Sequence, residues 1–106
     1  MTSIDYSDIT DMMQKGGAFQ FYRAKTKASD PNRMQTLWKQ IQLQRINSQI
    51  NAKDCCFMIK FTENYPLTCD ELMDISNLIQ MEYSDGDIIW GCEHTFGDEI
   101  ILEIIG

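Results

Sequence analysis

The sequence predicts a single α/β domain with a four-stranded mixed β-sheet, two long helices on one face of that sheet and a short N-terminal helix. Three observations support this fold class. The length of 106 residues suits one domain. A content of 43% hydrophobic and 24% charged residues is typical of globular proteins. Along the chain, apolar residues recur first with the period of a helix and then with that of a strand.

The best-marked element is a helix that follows Thr68. Thr68 is a favourable N-cap, Glu71 completes a capping box, and Leu67 and Leu72 occupy the two positions of a hydrophobic staple. Further apolar residues follow at helical spacing, so one face of this helix should be buried: Ile75, Leu78, Ile79 and Tyr83. The Ser-Asp-Gly sequence at 84–86 ends the helix.

Two apolar segments follow this helix and predict two strands. They cover residues 87–92 and 99–105, and a short loop at 94–97 separates them. Two strands joined by such a short loop are typical of a β-hairpin, so we expect them to be antiparallel neighbours.

The N-terminal half predicts the remaining elements. A loop leads into a short helix with Ile9, Met12 and Met13 on one side, and the glycines at 16–17 end it. Residues 18–26 are aromatic and alternating, which favours a first strand.

The longest helix comes next. Asp30 and Pro31 are typical of a helix start, and apolar residues continue at helical spacing to about Asn51. Residues 55–61 are nearly all apolar and predict the second strand.

The hydrophobic pattern of the strands predicts that both faces of the sheet are apolar. In the second strand, Phe57 and Ile59 point to one face while Cys56 and Met58 point to the other. If both long helices cover one face, the opposite face needs another cover. We therefore expect a partner domain or self-association there.

Net charge and its distribution exclude some functions. A formal charge of −7 and a pI near 4.4 disfavour a nucleic-acid partner, because phosphate contacts need clustered Lys and Arg. Arg23, Lys25 and Lys27 do alternate along one segment, where a solvated strand face is favoured over a basic ridge. No apolar run approaches the roughly 20 residues of a membrane helix, so no direct membrane insertion is expected.

The cysteines indicate a reduced, cytoplasmic protein with buried thiols. Cys55, Cys56, Cys69 and Cys92 show no C-x-x-C spacing, and no secretory signal precedes them. Cys92 and His94 could share a metal on one strand face, but no second ligand pair accompanies them, so no metal site is expected. His94 is interpreted as a loop residue without a matched nucleophile or base.

Several segments, in this order of elements, resemble the C-terminal subdomain of FtsZ, the bacterial tubulin homologue that assembles into cell-division filaments. Residues 3–9 read Ser-Ile-Asp-Tyr-Ser-Asp-Ile, similar to the family's catalytic loop Asn-x-Asp-x-x-Asp-Val, with Ser3 in place of the asparagine. Residues 87–91 and 98–106 are similar to its last two strands. The first strand has larger residues than the family's, and the turn at 63–66 lacks the usual glycines.

In that family, GTP bound by one subunit is hydrolysed when the next subunit presents its acidic loop to the γ-phosphate. The resemblance therefore implies that residues 1–106 are an FtsZ C-terminal-like domain without a nucleotide-binding domain, since no phosphate-binding loop pattern is present. Asp8 takes the position of the principal catalytic carboxylate, with Asp5 as a helper and candidate indirect partner of Mg²⁺. GTP would come from the neighbouring subunit, and the partners would be the nucleotide-binding domain of the same protein and further subunits in head-to-tail filaments.

Two interpretations of the acidic loop stay open. From spacing alone, Asp5 and Asp8 are better explained as residues that cap a helix and complement its dipole. The resemblance instead favours the polymerisation and GTPase-activating half of an FtsZ-like cell-division GTPase. The alternative function is a stand-alone, non-catalytic protein-interaction module with the same fold.

Overall fold

A computed structural model describes residues 20–46, 54–83 and 86–106. Within these ranges the chain forms, in order, β1 (Phe21–Lys27), α1 (Arg33–Ile46), β2 (Cys55–Phe61), α2 (Cys69–Glu82), β3 (Ile88–His94) and β4 (Glu99–Ile105). The predicted short helix around Ile9 lies outside the described residues. In the described part of the chain, no helix is long and apolar enough to cross a membrane.

The four strands form one mixed sheet in the order β1-β4-β2-β3. β4 runs antiparallel to both β1 and β2, whereas β3 runs parallel to β2. The predicted mixed sheet is confirmed, but the predicted hairpin is wrong, because β2 lies between β3 and β4. The connection at 95–98 instead passes the end of β2, where the Thr95 N–H donates to the Phe61 carbonyl (2.8 Å).

The central position of β4 has a physical reason. Ile100, Leu102 and Ile104 are completely buried on the helix side, while Ile101 and Ile105 are half-buried on the opposite side. A strand that is apolar on both faces is best buried in the middle of a sheet, with a partner on each side.

Both helices pack on the same face of the sheet, as predicted. Leu37 and Ile41 of α1 and Ile75 and Ile79 of α2 are completely buried in one core. The sheet contributes the following buried side chains to this core: Tyr22, Ala24, Cys55, Phe57, Ile59, Ile100, Leu102 and Ile104. Burial of these side chains is the main favourable contribution to the stability of the domain.

The start of α2 confirms the predicted capping box. The Glu71 N–H donates to Thr68 Oγ1 (3.2 Å), and the Thr68 N–H donates to Glu71 Oε1 (3.1 Å). Leu67 and Leu72, the predicted staple residues, are partly buried against the core. The helix start is therefore encoded locally, by residues within one turn.

The start of α1 differs slightly from the prediction. The helix begins at Arg33, and Asp30 forms a turn before it by accepting the Asn32 N–H (2.9 Å) and the Thr36 hydroxyl (3.0 Å). The Asn32 N–H is the largest cause of the lowered pKa of Asp30. Pro31 thus belongs to the turn instead of the first helical position. The predicted continuation of this helix to Asn51 lies outside the described residues.

Strand boundaries agree with the prediction to within two or three residues. β2 and β4 have the predicted limits, and β1 begins later, at Phe21, and ends at Lys27. β3 extends to His94, so the interpretation of His94 as a loop residue is wrong. Its ring lies edge-on against Phe61, its partner in the β2–β3 register, with the ring centroids 4.6 Å apart.

Candidate functional site

The two predicted catalytic residues, Asp5 and Asp8, lie outside the described residues, and their roles stay predictions. The structure does describe three places where polar groups or pockets could serve a function. These are the sheet face opposite the helices, which we call the open face, the end of the sheet where both helices begin, and a corner of buried titratable groups.

Four alternating charges cross the open face, one from each strand, and we call them the ionic belt: Arg23, Glu103, Lys60 and Glu93. Lys60 Nζ lies 2.7 Å from Glu103 Oε1 and 3.7 Å from Glu93 Oε1. Arg23 Nε lies 3.7 Å from Glu103 Oε2. The hydrogen bond to Glu103 is the largest cause of the raised pKa of Lys60. Each charge in the belt therefore faces one of opposite sign.

The prediction of an apolar open face is correct for only one part of it. Phe21, Cys56, Met58 and Ile105 line a pocket of about 200 Å³ together with members of the ionic belt. Phe21 is 55% exposed there. The belt divides the face because strand pairing sets Arg23 opposite Glu103 and Lys60 opposite Glu93. The belt depends on the strand order, because β2 brings Lys60 between Glu103 of β4 and Glu93 of β3. The predicted β3–β4 hairpin would have paired those two strands directly.

The basic residues of β1 are exposed along the open face. Arg23, Lys25 and Lys27 are all exposed, and Lys27 lies opposite Glu99 of β4. Arg23 lies opposite Glu103, whereas Lys25 lies opposite Ile101, so the two glutamates of β4 offset the charge of Arg23 and Lys27 but not that of Lys25. The structure agrees with the interpretation of a solvated strand face.

Arg33 lies where both helices begin, and its guanidinium binds groups of the β1–α1 turn, the β2–α2 turn and the first turn of α2. Its Nη1 donates to the carbonyls of Ala28 and Tyr65 (both 3.1 Å), and its Nη2 donates to the Pro66 carbonyl (3.0 Å). The guanidinium also pairs with both carboxylate oxygens of Glu71. This pair raises the pKa of Arg33 and lowers that of Glu71.

Arg33 was not among the functional residues predicted from the sequence. A signal was present, because a cation in the first turn of a helix opposes the helix dipole and needs a specific partner elsewhere. The side chain is buried, with a relative exposure of 7%. Its hydrogen bonds hold the β1–α1 turn against the β2–α2 turn, so its role in this structure is to position both helix starts.

A corner near the end of α2 contains a buried thiol and a buried phenol. The Arg45 guanidinium lies 4.4 Å from the centroid of the Tyr83 ring. Burial raises the pKa of Cys55 to about 12 and also raises that of Tyr83. Because the thiolate is the nucleophilic form of cysteine, Cys55 is suited to packing and not to catalysis at neutral pH.

The cysteine prediction is correct for two of the four thiols. Cys55 and Cys56 are buried, whereas Cys69 is exposed and Cys92 is half-buried. Within the described ranges, no group of three His, Cys, Asp or Glu side chains is placed to hold a metal ion. Cys92 and His94 share a strand, and the His94 ring packs against Phe61.

Comparisons with known proteins give matches among solved structures only. No family model and no curated protein matches this sequence. An FtsZ mutant from M. jannaschii superimposes with a TM-score of 0.77 at 14% identity, covering 99% of this chain and 32% of that chain. The chain has an FtsZ C-terminal-domain-like fold.

Two further solved structures support the FtsZ-like fold. CetZ1 from Haloferax volcanii, a GDP-bound monomer, has a TM-score of 0.68 at 16% identity, covering 97% of this chain and 32% of that one. An empty FtsZ dimer from M. jannaschii also has a TM-score of 0.68 at 16% identity, with coverages of 99% and 31%. This chain therefore spans about a third of the length of the structures it matches. The resemblance seen in the sequence is confirmed for the fold.

Proposed function

We propose that this FtsZ-like chain is the polymerisation and GTPase-activating half of a cytoskeletal GTPase that acts in cell division. The observation that carries the proposal is the FtsZ-like and CetZ-like fold over nearly the whole chain, at TM-scores up to 0.77. The sequence at 3–9 adds support, because it places two carboxylates in the pattern of the family's catalytic loop. Related cytoskeletal proteins include one solved with GDP and one solved as a dimer.

In this proposal the chemistry takes place between two subunits. Phosphoryl transfer needs a positioned water and stabilised charge, and a carboxylate within hydrogen-bond reach can orient that water. Asp8 has this role towards GTP held by the neighbouring subunit, and Asp5 assists it. Mg²⁺ would accompany the nucleotide and stabilise charge on its phosphates. In this proposal the neighbouring subunit supplies the nucleotide pocket and this chain supplies the acidic loop.

The proposed partners follow from this shared site. One is the nucleotide-binding domain of the same protein, and the others are further copies arranged head to tail in a cytoplasmic filament. Residues 1–106 would then act as one domain of a larger assembly. The net charge of −7 gives no support to nucleic acid as a further partner.

The test is a set of substitutions in the protein that contains both this domain and a GTP-binding domain. Asp8→Ala should lower GTP turnover by about 10²- to 10⁴-fold, which is typical for loss of a general base or water-positioning group. GTP affinity should be unchanged, because the residue acts on a nucleotide that another subunit holds. Asp5→Ala should lower turnover less. Asp11→Ala, a nearby carboxylate outside the motif, is the matched control.

Two further measurements separate this function from the alternative. Wild-type subunits mixed with Asp8→Ala subunits should show intermediate turnover, since each junction made with the variant loop is inactive. The isolated chain should neither bind nor hydrolyse GTP. If Asp8→Ala leaves turnover at the wild-type rate, the loop is a helix cap, and the non-catalytic interaction module becomes the better description.

A further inference from the structure

The outer edge of β1 is occupied by side chains of α1. Gln20 and Gly106 exchange two backbone hydrogen bonds (3.3 and 2.9 Å), and the Ala28 N–H donates to the Asp98 carbonyl (2.7 Å). Even-numbered residues of β1 therefore direct their backbone groups towards β4. Because bonding alternates along an antiparallel strand, the backbone groups of Arg23 and Lys25 point outwards.

Two glutamines of α1 bind these outward groups in pairs. The Lys25 N–H donates to Gln40 Oε1 (3.1 Å), and Gln40 Nε2 donates to the Lys25 carbonyl (3.0 Å). The Arg23 N–H donates to Gln44 Oε1 (3.2 Å), and Gln44 Nε2 donates to the Arg23 carbonyl (2.7 Å). Each amide thus offers one acceptor and one donor, which is what a residue of a neighbouring strand would offer.

The spacing of the two glutamines matches the spacing of the strand. Residues four apart on a helix are separated by about 6 Å along its axis, and residues two apart on a strand by about 6.7 Å. The buried core contacts of Leu37 and Ile41 hold α1 in place above the sheet. Gln40 and Gln44 are therefore held in register with Lys25 and Arg23.

We infer that Gln40 and Gln44 act as a substitute fifth strand that closes the β1 edge against pairing with a second copy of this chain. An edge strand with unpaired backbone groups is a template for another chain, and proteins protect such edges by covering them or by placing charges on them. The β1 edge has both protections, since Arg23, Lys25 and Lys27 are exposed along it. A second copy is the partner that this edge must exclude, because identical chains meet wherever the protein is concentrated.

The first test is amide hydrogen exchange, residue by residue. In the wild type, the Arg23 and Lys25 amides should exchange more slowly than the outward-pointing amides of an uncovered edge strand. In Gln40→Ala/Gln44→Ala they should exchange about tenfold faster or more, because their hydrogen bonds are lost while the fold is kept. The Tyr22 amide, which points towards β4, should keep its protection.

Single variants and a matched control keep this test decisive even if the double variant is poorly folded. Gln44→Ala should affect the Arg23 amide and Gln40→Ala the Lys25 amide. Gln35→Ala/Gln42→Ala changes two exposed glutamines of the same helix and should affect neither.

The second test is association state, measured by sedimentation over a range of protein concentrations. The double variant should associate more than the wild type and more than the control, and added salt should increase this because it screens the basic row. Lys25→Pro in the double variant should reverse the gain, because it removes an outward N–H without breaking a bond to β4. Unchanged exchange at Arg23 and Lys25, or association no greater than in the control, would overturn the inference.

Discussion

Arg33 and Glu71 are 38 residues apart in the chain and form a bidentate ion pair, with Nη2–Oε1 at 2.7 Å and Nε–Oε2 at 2.5 Å. Glu71 also belongs to the capping box of α2, so one carboxylate serves both the helix start and the ion pair. The guanidinium binds three backbone carbonyls in addition. The pair therefore connects the beginning of one helix to the beginning of the other.

Arg33→Met should destabilise the domain by about 3 kcal/mol, because it leaves a partly buried carboxylate without its partner. Methionine retains most of the apolar stem, so the decrease in unfolding free energy reports the loss of the guanidinium interactions. The free energy of unfolding in urea is the measurement. Arg23→Met is the control, since its pair with Glu103 is longer (3.7 Å) and its side chain is half-exposed, and it should cost less than about 1 kcal/mol. Equal losses in the two variants would contradict the prediction.

Acid should weaken the contribution of Glu71 to stability. Its pKa is lowered in the folded state, and the hydrogen bond from Arg33 is the largest cause. The ionised carboxylate therefore stabilises the folded protein fully at pH values above the unfolded pKa of about 4.3. That contribution is lost as the pH falls through the folded pKa. The difference in unfolding free energy between wild type and Glu71→Gln should therefore be largest near pH 7 and shrink below about pH 4.

Urea unfolding at several pH values between 7 and 3 measures this dependence. Asp70→Asn, an exposed carboxylate in the same helical turn, is the control. A Glu71→Gln difference that stays constant down to pH 3 would show that the ion pair does not respond to protonation in this range.

The thiols should differ strongly in reactivity towards alkylating agents. Cys69 is exposed, whereas Cys55 is buried and has its pKa raised to about 12. Because alkylation requires an accessible thiolate, Cys69 should be labelled first at pH 8 and Cys55 only after unfolding. Mass spectrometry of the labelled peptides with and without denaturant provides the measurement. Labelling of Cys55 as fast as Cys69 in the native protein would show that the β2 end of the core opens readily.

Self-association through the apolar part of the open face is expected from the sequence and can be tested at Phe21. This ring is 55% exposed beside the pocket of the open face. Phe21→Glu should weaken concentration-dependent association, because it places a charge on the apolar surface that would be buried. Phe96→Glu is a matched control, since Phe96 is also exposed but lies in the connection between β3 and β4. Sedimentation velocity should show a larger effect at Phe21; an equal or larger effect at Phe96 would place the contact elsewhere.

Local features of the sequence predicted the secondary structure well. The capping box of Thr68 and Glu71 involves residues three apart, and it marks the first turn of α2. β2 and β4 have their predicted limits because continuous apolar segments bounded by polar residues are recognisable without knowledge of their partners. The placement of both helices on one face followed from the apolar stripes of the helices and from the element order.

By itself, the sequence determined the helices and strands, the buried face of each helix and the resemblance that leads to the proposed function. Each of these depends on residues that are close together in the chain. Only the tertiary structure decided which strands are neighbours. β4 lies between β1 and β2, where side chains of both neighbouring strands bury its helix-side residues completely and its open-face residues in part. From that order follow the ionic belt across four strands and the Arg33–Glu71 pair between two turns. These contacts join residues tens of positions apart, and pattern within one segment carries no information about which distant segment will lie beside it.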